Sequence, residues 1–334
     1  MTPTPVVPPT TLSVGTMALR PATLDDAEFD ARLDTALHPD EPADPAMTRH
    51  WWSNEDPAWT TERWVVREND RDIGTASLQH APWEKMPERF AHVSAAVLPE
   101  VRTDGRLAAL YEVVEARARG DGALTLVSGS HESELERQGF LQGRGYREER
   151  RMKAWELDLV RHRGRLLDML ERSRERMRAQ GIVLTTLGQD PDPAKLQKLY
   201  RMSNEAESDI PTTVPYVESP FETFRKWIEE SPGLRPDRIW IAREGDAIVG
   251  ISMLLYPPSV GHVWTDWTGT ARRIRGKGVA RGLKLETVAQ AIGLGVPRVR
   301  TANDGENAPI LHLNEDMGYQ RIPGWIEYHR AASS

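Results

Sequence analysis

The feature that most constrains this chain is a match of the sequence to itself. Trp64 to Leu78, WVVRENDRDIGTASL, lines up with Trp240 to Leu254, WIAREGDAIVGISML, at a constant offset of 176. Trp, Arg, Glu, Asp, Gly and Leu coincide. Each copy reads as a strand, a tight turn at Asn69-Asp70 or Gly245-Asp246, and a second strand, which is a β-hairpin. A later correspondence sets Gly145-Tyr146 against Gly318-Tyr319. Self-similarity of this kind predicts two copies of one fold in tandem, and 334 residues are enough for two domains of ordinary size.

The second copy carries a stretch with chemistry in it, Thr268 to Lys284, TGTARRIRGKGVARGLK. It reads as the end of a strand, a turn through two glycines, and the start of a helix. Arg273, Gly276 and Gly278 fit the spacing [Q/R]-x-x-G-x-[G/A]. Glycines at such a turn reach positive φ without strain and let the backbone come close to a ligand. Free N–H groups at the turn and the helix start then converge on one spot, which suits an anion such as a diphosphate. Arg272, Arg273, Arg275, Lys277, Arg281 and Lys284 crowd the same stretch in a chain of net charge −7. A dinucleotide fingerprint does not fit, because Arg281 stands where a third glycine is needed. The nucleotide-triphosphate loop G-x-x-x-x-G-K-[ST] is absent as well.

After this turn come a strand, Arg298 to Asn303, and a short helix from Asn307 that ends at Gly318-Tyr319. That order resembles the GNAT superfamily of acetyl-CoA-dependent N-acetyltransferases. Asn307 matches the family's helix-opening Asn, Ile310 and Leu313 its apolar helix positions, and Gly318-Tyr319 its Gly-aromatic ending. The resemblance covers about residues 181 to 330. It implies an α+β (mixed α/β) protein of two tandem domains, each with a central mixed, mostly antiparallel sheet flanked by helices and splayed between its fourth and fifth strands. It also implies acetyl-CoA as the acyl donor, lying in that gap. Its pantetheine arm would lie along Thr268, Gly269 and Thr270. Its diphosphate would sit on the amides of Arg275, Gly276, Lys277, Gly278, Val279 and Ala280, with Arg273 adding charge. Asn307 would hold the cofactor arm, or cap its own helix.

The expected organisation is an extended Pro-rich tail at 1–15, a first domain at 16–159, a solvated linking helix at 160–180 and a catalytic second domain at 181–331. In the first copy Trp51, Trp52 and Trp59 fall in a Pro- and acid-rich connection. Its cradle reads Arg102-Thr-Asp-Gly105-Arg-Leu107. A branched Leu107 and the Asp104 carboxylate oppose an anion there, so this copy reads as degenerate.

Direct attack of a primary amine on a thioester needs a base, since an alkyl ammonium has a pKa near 10.4. Asp266 is the first choice. Strand alternation places it on one face with His262, Trp264, Thr268 and Thr270. Glu205 and Glu207, entering the loop that leads to Tyr216, are rivals. For a proton donor to the leaving thiolate, many family members place a Tyr seven residues after the helix Asn. Here that position is Asn314, which has no acidic proton. Tyr319, Tyr216 and Tyr328 are weaker candidates.

The expected acceptor is a small-molecule amine, such as an amino sugar, an aminoglycoside-like compound or an amino-acid derivative. The absence of cysteine excludes disulfides, thiolate metal sites and a Cys nucleophile. No metal site is expected from nine scattered histidines. No apolar run approaches a membrane span, and the N-terminus lacks a signal-peptide pattern, so a cytoplasmic monomer or homodimer is expected. Net charge and the lack of aromatic residues among the arginines argue against nucleic acid. The alternative function is a non-catalytic acetyl-CoA-binding sensor or scaffold.

Overall fold

The computed structural model of the chain describes residues 11–333. It divides into two compact units: residues to Ser130 with Glu134–Glu149 and everything from Ile326, and His131–Ser133 with Arg150–Trp325.

The first unit contains strands β1 Leu12–Val14, β2 Met17–Pro21, β3 Thr60–Glu68, β4 Arg71–His80, β5 Phe90–Val97 and β6 Thr125–His131, with helices α1 Ala27–Leu37, α2 Pro45–Ser53, α3 Asp104–Gly120 and α4 Leu135–Gly143. Residues 1–10 of the expected tail lie outside the described residues. Leu12–Val14, expected within it, pairs antiparallel with Met17–Leu19. Trp51 and Trp52, expected in a connection, belong to α2. Asp44 caps that helix by accepting from the amides of Ala46 and Met47, and Pro45 opens it. The hairpin turn has φ of 49° at Asn69 and 62° at Asp70, the left-handed pair that a two-residue turn demands. The repeat's shared glycine is explained by crowding. A Cβ on Gly74 would lie 2.2 Å from the Ala96 carbonyl oxygen, and one on Gly250 would lie 2.8 Å from Leu283.

The second unit contains β7 Arg147–Asp158, whose residues from 150 onward belong here, then α5 Leu159–Ala179, β8 Ile182–Thr186, α6 Lys195–Glu207, α7 Phe221–Glu230, β9 Ile239–Glu244, β10 Ala247–Leu255, β11 Val263–Thr270, α8 Val279–Gly293, β12 Arg298–Asp304 and α9 Ala308–Met317. Its strand order is β7-β12-β11-β10-β9-β8. The chain ends in β13, Gln320–Ala331.

The closing strands correct the expected boundaries. Residues 150–158, expected to finish the first domain, pair antiparallel with all of β12, from Arg298↔Asp158 to Asp304↔Met152. Ile326 and Tyr328, expected to finish the second, are buried in the first unit's core. Arg330 there binds the buried Glu115 at 3.1 Å, a carboxylate that Arg144 and Tyr146 also hold. Each unit is therefore completed by a strand from the other half of the chain. The linking helix needs a second correction. α5 buries Leu159, Leu166, Leu170, Ser173 and Met177, and Arg174 grips the buried Glu286 of α8 with two bonds of 2.7 Å. Its apolar positions recur every three to four residues among many charges, so one stripe is core even though the segment is polar overall.

Candidate active site

β11 and β12 run parallel but pair only at Val263↔Val299 and Trp264↔Arg300. Beyond Trp264 they part. β12 stays held by β7 on its far side, and β11 stays held by β10, so the residues from Thr265 to Thr270 border an opening in the sheet. The β10–β11 register explains the parting. It steps from Met253↔Trp267 to Leu254↔Thr265, leaving Asp266 as the extra residue of a bulge. A bulge bends its strand and re-aims a side chain.

That bulge corrects the face predicted by alternation. Thr268 bonds Ser252 at 2.8 Å, and Thr270 packs by Gly250 with Leu283 and Val279 of α8. Trp267 instead lies by Ala206 of α6. The Asp266 carboxyl receives a hydrogen bond from the Trp227 indole of α7. Asp266 thus faces α6 and α7, opposite Thr268 and Thr270. Its Oδ2 is enclosed and has no partner among the described residues. Burial pushes its pKa up to about 6, against the Trp227 bond, which leaves a base poised just below neutrality.

The turn after β11 has the geometry its glycines predict. Gly276 has φ of 76° and Gly278 of 88°, and Gly278 caps α8 with no side chain to fill the cap. The amides of Arg275 and Lys277 bond inward, to the carbonyls of Arg272 and Ile274. Those of Gly276, Gly278, Val279 and Ala280 have no acceptor among the described residues, which is a set of donors at a helix N-terminus. The basic side chains are mostly paired within the protein. Arg272 and Arg275 reach Asp209, each at 2.7 Å. Arg273 pairs with Glu244, and Lys277 lies 3.8 Å from the same carboxylate. Arg281 pairs with Asp316. Anion affinity at this turn therefore rests on the main chain more than on the predicted Arg273, Arg275 and Lys277.

A basic residue missed in the sequence adds to it. Arg176 of α5 reaches the Gly276 carbonyl at 3.4 Å, and a Cβ on Gly278 would lie 3.2 Å from its guanidinium carbon. Gln180, one turn on, donates to the Lys277 carbonyl at 3.2 Å. The i, i+4 spacing of Arg176 and Gln180 was the available signal, hidden in a helix dense with arginine.

The other carboxylates separate in role. Glu205, a rival base in the sequence, accepts the Arg272 amide at 2.5 Å and so braces the turn. Glu207 accepts from Tyr216 at 2.9 Å, and burial raises its pKa against that bond. Tyr216 also donates to Asn204, which donates to Glu218 at 2.7 Å. Asn307 opens α9 without a side-chain cap bond, so the capping alternative does not hold. Asn314 is fully buried and donates to Asn303 of β12 at 2.7 Å, while its Oδ1 is unpartnered among the described residues. Tyr319 is buried beside Thr265, and Tyr328 belongs to the first unit's core.

Among the described residues no cluster of side chains could hold a metal ion, and no helix is long and apolar enough to cross a membrane.

The acetyltransferase (GNAT) family's sequence model matches residues 168–319. A search of the curated proteins finds no match. Among solved structures, the chain is similar to a tandem GNAT protein from the clavulanic acid biosynthesis pathway, at 20% identity and a TM-score of 0.72, over 95% of this chain and 98% of that one. It is similar to a GCN5-related N-acetyltransferase from Sphaerobacter thermophilus at 20% identity and TM-score 0.65, over 95% and 96%. A glucosamine N-acetyltransferase region of a fungal multi-domain β-N-acetylglucosaminidase follows at 14% identity and TM-score 0.66, over 96% of this chain and 38% of that one. At these identities the likeness is one of fold. Residues 168–319 thus match the GNAT acetyltransferase family, and the chain as a whole has the fold of tandem GNAT proteins.

Proposed function

We propose that the second unit transfers an acetyl group from acetyl-CoA directly to the primary amine of a small molecule, and that the first unit is structural. The observation that carries this reading is the opening after Trp264, bordered by an unpaired strand edge and leading to the amides of Gly276, Gly278, Val279 and Ala280, which have no acceptor among the described residues. Those residues fit the group. The amides would hold the diphosphate, with Arg176 adding charge, and the edge from Thr268 to Thr270 would bond the pantetheine arm. When bound, acetyl-CoA supplies an activated acyl carbon.

The chain's own groups do the rest. The Asp266 carboxylate, oriented by Trp227, takes the ammonium proton and leaves a nucleophilic amine. Gap-facing amides of β11 polarise the thioester carbonyl as fixed donors. Glu207 and Glu218, with Tyr200, Tyr216, Phe221 and Phe224 on the α6–α7 side, favour a cationic acceptor with an apolar face. The chemistry suits an amino sugar, an aminoglycoside-like compound or an amino-acid-derived amine.

Thiol release from acetyl-CoA over a panel of such amines tests the reading. Amine-dependent release that follows the ionisation of a group near pH 6 is expected. Tight CoA binding with no turnover on any amine would contradict it and favour a sensor or scaffold.

A further inference from the structure

Lys284 lies in the second turn of α8 with 1% of its surface exposed. Among the described residues its Nζ has no hydrogen-bond partner. It lies over the Tyr319 ring, 5.2 Å from the centroid. Tyr319 stands beside Thr265, the first β11 residue past the last β11–β12 pair. Asn314, from the same turn of chain as Tyr319, ties to Asn303 on the opposite wall. Lys284 therefore sits on the α8–α9 side of the opening, at its apex, across the sheet from Asp266.

The charged groups of the surrounding elements are engaged elsewhere. Glu286 on α8 is held by Arg174 of α5, and Asp316 on α9 by Arg281. Asp304 at the end of β12 is held by Arg150 at 2.6 Å, and Asp266 on β11 faces Trp227. His312 on α9 is exposed, 3.5 Å from Asp316. Burial alone drags Lys284 down to about 7. An unpaired ammonium is costly to bury, and methionine or leucine would fill the same space without that cost. A functional demand explains why a lysine stands there.

We propose that Lys284 is the proton donor to the departing thiolate, the task for which Asn314 has no acidic proton. The proposal rests on the acyl-transfer reading above. As the amine nitrogen bonds the carbonyl carbon, the C–S bond breaks and its electron pair goes to sulfur. Lys284 gives sulfur a proton and becomes a neutral amine. It recovers a proton equivalent to the one that Asp266 removed from the nucleophile, so one proton passes in net from nitrogen to sulfur. A donor near pH 7 facing a thiol of pKa about 8.5 transfers downhill.

The test varies the leaving group. Turnover of an amine identified in the panel is measured over pH in wild type and in Lys284→Met, whose folding is checked by thermal melting, with acetyl-CoA and with an acetyl thioester of a more acidic thiol. With acetyl-CoA the variant is slowed about 100-fold, with KM for the amine unchanged and the alkaline limb of the pH profile lost. With the more acidic thiol, which leaves as the anion, the loss shrinks to a few-fold. A variant with the wild-type pH profile, or one slowed equally with both thioesters, overturns the proposal. CoA that fails to bind wild type overturns the acyl-transfer reading beneath it.

Discussion

The two units hold the same structural opportunity and treat it in opposite ways. In the first, β5 and β6 also run parallel and also part, pairing only from Phe90↔Thr125 to His92↔Val127. There Arg137 of α4 crosses the opening. It donates to the Ala95 carbonyl on β5 at 3.0 Å, to the Gly129 carbonyl on β6 at 2.8 Å, and to the Tyr111 hydroxyl at 2.9 Å. In the second unit the opening is bordered instead by Lys284, Asn314 and Asp266, each with a buried atom that has no partner among the described residues. The helix that follows differs in the same sense. Thr103 caps α3 by accepting the Arg106 amide at 3.2 Å, and Leu107 is buried in that helix. Gly278 leaves the cap of α8 bare. At the opening, one unit spans the gap with its own arginine, and the other leaves donors and acceptors that a ligand can complete.

The largest expected effect comes from filling the bare cap. Gly278→Glu places a Cβ at a left-handed residue and against Arg176, and brings a carboxylate to the anion site. CoA affinity measured by calorimetry should fall at least 100-fold with the protein still folded. Wild-type affinity would break the contrast between the two helix starts.

Asp266→Asn should lower turnover by about 100-fold or more and remove the acidic limb near pH 6. Its effect on stability has a definite sign. The folded pKa of Asp266 lies above its unfolded value, so the native state binds more protons and stability falls as pH rises from about 4 to about 6. The Asn variant should therefore melt higher than wild type at pH 7, with the gain shrinking as pH drops from about 6 to about 4. An unchanged pH–rate profile would move the base role to Glu207.

Arg137→Ala sharpens the comparison from the other side. Losing the plug and leaving its carbonyls unpaired should cost about 2 kcal/mol, read as a lower melting temperature. CoA stoichiometry should stay at one per chain, because the Thr103-capped helix still offers no cradle. A second equivalent would show that the plug alone silences the first unit.

The smallest effect separates paired from unpaired arginines. Arg176→Gln should weaken CoA about 5-fold, roughly 1 kcal/mol for a charge near a helix-terminal anion. Arg273→Gln should change it less, since Glu244 already engages that guanidinium. The reverse ranking would return the predicted role to Arg273.

Most of this architecture could be read along the chain. The hairpin repeat, the glycine turn and the helix ending in Gly318-Tyr319 are local signals, and local signals survive folding. What could not be read is long-range. Nothing in residues 150–158 says that they pair with β12 and not within their own half, because an alternating strand fits either sheet. The bulge at Asp266 depends on how β10 and β11 meet, so simple alternation gave the wrong face. That Glu205 holds the Arg272 amide, 67 residues on, could not be read from its own surroundings in sequence. Arg137, Arg176 and Lys284 carry much of the contrast between the units. Each is a single basic side chain whose meaning lies in a partner far away in sequence, or in having none.

The central claim is that diphosphate binding belongs to one turn of this chain and not to its counterpart. A crystal structure of the protein soaked with CoA tests it most directly. The prediction is one CoA per chain, with its diphosphate on the amides of Gly276, Gly278, Val279 and Ala280 and its arm along Thr268 to Thr270. A CoA bound at Thr103 to Leu107, or one bound elsewhere with the Gly276–Ala280 amides untouched, would contradict it.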